Sequence, residues 1–98
     1  MLKIACSPLL PALLLLSLSA CAGAPVQEMS DARQAIESAR EAGAGNHAET
    51  SMQRAEALLR AAEGRLQAGD YEQAREQATD AKRLAIEARE QAVEGVPR

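Results

Sequence analysis

Residues 71–93 read YEQAREQATDAKRLAIEAREQAV, and the spacing of alanine within that stretch decides the fold. Tyr71, Ala74, Ala78, Ala81, Ala85, Ala88 and Ala92 alternate steps of three and four over three heptads. Such steps return to one side of an α-helix, whereas a strand repeats its faces every two residues. A seam of alanine lets two helix axes approach more closely than leucine would. Leu84 and Ile86 flank the seam and are expected to cover its edges. A helix is therefore predicted over Tyr71–Val93, ended by Gly95 and Pro97, with residues 95–98 frayed.

Upstream, Gly69 suits the left-handed residue that follows a helix end, and Asp70 with Gln73 reads as a capping pair for the alanine helix. The helix before it is predicted over His47–Ala68. Its stripe is Ala48, Met52, Ala55, Leu59, Ala62 and Leu66, with Gly64 on the opposite face. Gly43-Ala44-Gly45-Asn46 reads as a turn, and Asn46 with Glu49 as the next capping pair. A first helix is predicted to start at Val26 or Ser30 and to end at Ala42, with Met29, Ala32, Ile36 and Ala39 on one face. Pro25 is well placed to open it, and Asp31 falls in its first turn if Ser30 is the cap. Short turns make neighbouring helices antiparallel. The fold class is all-α: an alanine-rich, elongated helical hairpin or three-helix bundle, a coiled-coil-like packing spanning residues 28–94.

Larger apolar side chains are few, so the core is thin for this length and marginally stable alone. On the exposed faces Glu56–Arg60, Glu37–Arg40 and Asp80–Arg83 are spaced as ion pairs, each contributing a few tenths of a kcal/mol. Among 98 residues there are 11 Lys and Arg against 14 Asp and Glu. That balance gives no reason to propose nucleic acid or anionic lipid as a partner.

The N-terminal segment has a different character. Lys3 precedes an apolar run that ends in leucine-rich residues and closes on Leu18-Ser19-Ala20-Cys21. A positive start, an apolar middle and small residues at the cut make a secretory signal. The last four residues resemble the lipobox of bacterial lipoproteins, an aliphatic residue and two small ones before a cysteine. The resemblance implies signal-peptidase recognition of Leu18, Ser19 and Ala20, removal of residues 1–20, and lipidation of Cys21 by a thioether-linked diacylglycerol and an acyl chain of the palmitate type. Residues 21–27 then form the lipidated cysteine and a short tether. Two or more acyl chains hold a protein stably at a bilayer. The alternative is an uncleaved membrane helix, because residues 4–24 contain no charge. Pro8 and Pro11 disrupt that helix, and the leucine-rich part is short for a span. Within the lipoprotein resemblance, Ala22 in place of Asp implies sorting to the periplasmic face of the outer membrane, in a host that has one. Removal of Cys6 with the signal and acylation of Cys21 leave no disulfide. A Cys6–Cys21 bridge is the competing arrangement.

Little in the chain points to catalysis. His47 is the only histidine and falls in a predicted turn. No His, Cys and Asp cluster has metal-ligand spacing, and there is no phosphate-cradling glycine loop or nucleophile elbow. No enzyme activity, cofactor or metal is expected.

Asp31-Ala32-Arg33-Gln34-Ala35-Ile36, Ala55-Glu56-Ala57-Leu58-Leu59 and Ala68-Gly69-Asp70-Tyr71-Glu72-Gln73-Ala74 resemble an uncharacterised family of alanine-rich helical domains in bacterial lipoproteins, a domain-of-unknown-function family. Longer members carry a following domain similar to the peptidoglycan-binding part of outer-membrane protein A. Residues up to Arg98 show no such part, so cell-wall binding is not expected of them. The turn at Gly69-Asp70-Tyr71 is also similar to that of a tetratricopeptide repeat, although an array needs about three units. The expected function is a structural or adaptor lipoprotein, bound to the bilayer through acylated Cys21. Its helical face would meet an envelope protein or a second copy. A small periplasmic module for an apolar ligand or an envelope-stress signal is the alternative, disfavoured by the scarcity of pocket-lining side chains.

Overall fold

The computed structural model describes residues 23–95. The expectations for the signal, for Leu18, Ser19, Ala20 and Cys21, and for Pro97 lie outside the described residues. Those described form helices α1 (Val26–Glu41), α2 (Ala44–His47), α3 (Glu49–Gln67) and α4 (Tyr71–Gly95), with no strand among them. At 1.5 Å per residue the 25 residues of α4 extend about 37 Å, which sets the long dimension of the bundle.

Each long helix buries the face that its periodicity marks. α1 buries Met29, Ala32, Ile36 and Ala39. α3 buries Met52, Ala55 and Ala62, with Leu59 and Leu66 partly covered. α4 buries Ala74, Ala78, Ala81, Ala85, Ala88 and Ala92. The alanines of α4 meet two groups of partners. Ala78 and Ala81 pack with Met29, Ala32 and Ala62, and Ala85, Ala88 and Ala92 with Ile36, Ala39, Met52 and Ala55. α4 packs most extensively on α3 and next on α1, while α1 and α3 touch each other less. α4 is thus the spine of the molecule.

The direction of each helix follows from its cross-links. Glu28 of α1 lies 3.7 Å from Arg75 of α4, and further along both helices Asp31 lies 3.9 Å from Lys82. α1 and α4 therefore run parallel. Ser51 near the start of α3 donates to Gln91 near the end of α4 at 3.2 Å, so α3 runs against them. Neighbours in sequence are antiparallel, and the result is an up-down-up bundle of three long helices.

The turns show how the chain reverses. α3 ends in a Schellman motif: Gly69 N–H donates to the Leu66 carbonyl at 3.1 Å and Asp70 N–H to the Arg65 carbonyl at 2.9 Å. Gly69 sits at φ +84°, a conformation that costs a residue with a Cβ about 1–2 kcal/mol. Arg65 Nη1 closes the same turn on Asp70 Oδ2 at 3.3 Å. At the other turn Gly43 has φ +88°, and its N–H reaches the Arg40 carbonyl at 3.0 Å.

Five expectations need correction. Tyr71 does not join the seam: it is 43% exposed, because the first turn of α4 extends past the helices that cover Ala74 onward. Ile86 does not close over the seam either, being displaced about 100° from Ala85 around the helix, and it is 44% exposed. Asn46 does not cap α3. It belongs to the single turn α2, and Ala48 takes the cap position without a side-chain bond. Ser30 is interior to α1, whose cap position is Pro25, so the acidic residue of its first turn is Glu28. Glu56 turns to Arg40 across the α1–α3 interface at 3.2 Å rather than pairing with Arg60 along its own helix.

Candidate functional site

An alanine seam can serve a partner helix only if it is open. Here Ala74, Ala78, Ala81, Ala85, Ala88 and Ala92 have no exposed surface, because α1 and α3 of the same chain already lie on them. Close approach between these helices consumes the whole seam. Of the seam residues expected from the sequence, only Tyr71 is left at the surface.

What remains accessible lies along the two flanks of α4. On the α1 flank, Ile86 and Val93 stand one heptad apart and are 44% and 55% exposed. Small Ala35 and Ser38 on α1 leave room beside them. The result is an open groove of about 290 Å³, bordered on its outer side by Arg89, Glu90 and Glu94. On the α3 flank a wider depression of about 600 Å³ has Leu58 and Leu84 at its base and Arg54, Arg83 and Glu87 around it. Leu58 and Leu84 are half-buried there, so this second depression offers less apolar surface than the first. Periodicity missed both grooves because it reports which side of a helix is buried. Exposed apolar residues one heptad apart, Ile86 and Val93, are the signal that could have found the first.

The end of the bundle nearest the N-terminus has its own character. α1 and α4 both begin there and α3 ends there, so Val26, Tyr71 and the Gly69 turn share one end. Val26 is exposed, and Cys21 precedes it by five residues. Fully extended, that connection spans at most about 18 Å.

About half of the surface charges are paired along or between helices. Arg40 bridges Glu37 at 2.7 Å and Glu56 at 3.2 Å, and Arg83 reaches Asp80 at 3.4 Å. All are solvated and individually weak. Among the described residues, no group of three His, Cys, Asp or Glu is placed to hold a metal ion, and His47 is exposed in α2. No helix of the described residues is long and apolar enough to cross a membrane.

No curated protein and no solved structure matches the sequence. Residues 27–95, from the first turn of α1 to the last residue of α4, match the sequence model described as domain of unknown function DUF4398. The chain belongs to that family.

Proposed function

We propose that this protein is a lipid-anchored component of the bacterial cell envelope, held at the membrane through acylated Cys21. There it acts as a structural or adaptor module through a helical face. The sequence Leu18-Ser19-Ala20-Cys21 after a charged start and an apolar run carries the anchoring half. Ala22 favours the periplasmic face of the outer membrane where the host has one. The interaction half rests on the α1–α4 groove, where two aliphatic side chains are left in water while alanine fills the interior. Exposed aliphatic residues framed by charge are the usual make-up of a helix-docking surface. An apolar-ligand carrier would need an enclosed cavity, and this groove is open along its length.

With a tether of at most about 18 Å, the bundle would work close to the bilayer, its Val26 and Tyr71 end nearest the anchor. The test is metabolic labelling with a fatty acid, paired with fractionation of a Cys21→Ser form. Label on the native chain and loss of membrane association in the variant support the anchor. An unlabelled chain that fractionates like the variant overturns it. A photo-cross-linker at Val93 then tests the surface in cells. A discrete protein adduct is expected there, and adducts to lipid alone would contradict the adaptor role.

A further inference from the structure

We propose that the α1–α4 groove joins two copies of this chain about a two-fold axis, α4 of one copy running antiparallel to α4 of the other. The proposal rests on the protein-interaction reading above and names the partner.

Ile86, Arg89, Glu90 and Val93 all border the groove. At roughly 100° per residue they span about 100° of the helix surface, a single face. Their order along the chain is apolar, basic, acidic, apolar. Read backwards, that order is its own complement. An antiparallel copy centred between residues 89 and 90 sets Ile86 against Val93 of the second copy and Arg89 against Glu90 of the second copy. The two-fold axis then repeats both contacts. A parallel copy would instead face Arg89 with Arg89 and Glu90 with Glu90, juxtaposing like charges. Charge complementarity therefore selects both the occupant and its direction.

Two further observations fit. Arg89 and Glu90 take part in none of the ion pairs formed among the described residues, and in this Arg89 differs from the other basic residues of α4, Arg75, Lys82 and Arg83. Ala35 and Ser38 keep the α1 wall low, so the incoming Ile86 and Val93 have space beside their counterparts. Two large side chains from each copy make a small contact, of the weak and reversible class. The direction also has a consequence at a membrane. Tyr71 lies about 28 Å along α4 from the axis, so the two anchor-side ends stand roughly 55 Å apart. Anchored copies would therefore pair lying along the bilayer.

The test is sedimentation velocity of the full chain in mild detergent over a hundredfold range of concentration. Native protein is expected to pass from monomer to dimer as concentration rises. Arg89→Glu and Glu90→Arg each set like charges across the axis twice, and each should raise the dissociation constant about tenfold. The double variant Arg89→Glu/Glu90→Arg restores opposite charges and should dimerise like the native chain. Circular dichroism should be unchanged throughout, since both residues are exposed. A native chain that stays monomeric at every concentration overturns the proposal, as does a double variant no tighter than its singles. Monomeric chain recovered with a different envelope protein, or with neutral lipid vesicles only, overturns it equally. Cys21→Ser should leave the detergent dimer intact while abolishing the fatty-acid label, so loss of the anchor and loss of pairing are read separately.

Discussion

On the inward side of α4 the alanines from Ala74 to Ala92 have no exposed surface, whereas about a third of a turn away Ile86 and Val93 leave roughly half of theirs in water. The usual sorting of large apolar residues inward and small ones outward is reversed on this helix. The inward side gains its burial from close approach of helix axes, which side chains larger than a methyl would prevent. On the α4 side, dispersion and burial there come from backbone and Cβ atoms. The bulk in the core is supplied by the other helices, Met29 and Ile36 from α1 and Met52 from α3. The outward side has no such constraint, and its two aliphatic residues Ile86 and Val93 are left open to solvent.

The division can be broken from the inside first. Ile36→Ala removes one of the few bulky groups that meet the seam, and a cost of about 2–4 kcal/mol is expected in chemical denaturation. A loss below about 1 kcal/mol would mean that Ile36 is not packed against Ala85 and Ala88. Ala81→Leu should cost about 1–3 kcal/mol, since the added atoms meet the close helix approach at a site with no free volume. A product more stable and equally helical would place that alanine toward solvent.

A subtler test lies at the border between the two sides. Gln77 falls one heptad before Leu84 and two before Gln91, on the α3 flank of the seam. Gln91 is bonded to Ser51, but Gln77 Oε1 is buried with no hydrogen-bond partner among the described residues. Replacing such a group with an apolar one of similar size relieves the desolvation. Gln77→Leu should therefore stabilise the chain by about 1 kcal/mol in the same denaturation measurement. A destabilised variant would show that the amide does find a partner.

The smallest of these effects is at the Gly69 turn. Asp70 precedes the first residue of α4, and its carbonyl accepts from Ala74 N–H at 2.9 Å. Its carboxylate meets Arg65, so the Schellman turn and the start of α4 share one side chain. Asp70→Ala should cost about 0.5–1 kcal/mol, most of it from losing a negative charge beside the start of α4, because an exposed ion pair is worth little. An unchanged melting curve would argue against α4 starting at Tyr71.

Much of this was legible in the sequence, for an identifiable reason. Buried faces repeat with the helix period, so Met29, Ala32, Ile36 and Ala39 could be assigned to the inside of α1 from spacing alone, as could the alanines of α4. Gly69 marked the end of α3 because a left-handed residue there strongly favours glycine. Features that depend on a neighbouring helix were not legible. Two short reversals already imply that α1 and α4 run parallel, but not which of their residues meet, such as Glu28 and Arg75, which lie far apart in the chain. For the same reason Glu56 was assigned to Arg60 on its own helix, when Arg40 of α1 was the partner within reach. Tyr71 kept the seam's spacing but lay beyond the end of the helices that cover it. The turn at residues 43–46 concealed the single turn α2, which buries Ala44 and displaces the cap of α3 from Asn46 to Ala48. The grooves flanking α4 could not be read from any one helix, since each is formed between two.

Adjacent residues on the two sides of α4 offer the most direct measurement. Thermal unfolding of Ala85→Leu and of Ile86→Ala in the dilute chain compares the seam with the flank at neighbouring positions. Ala85→Leu is expected to lose about 1–3 kcal/mol, a fall in Tm of several degrees, while Ile86→Ala stays within about 0.5 kcal/mol of the native chain. The reverse order, with Ile86→Ala the more damaging and Ala85→Leu neutral or stabilising, would contradict an alanine seam closed inside one chain.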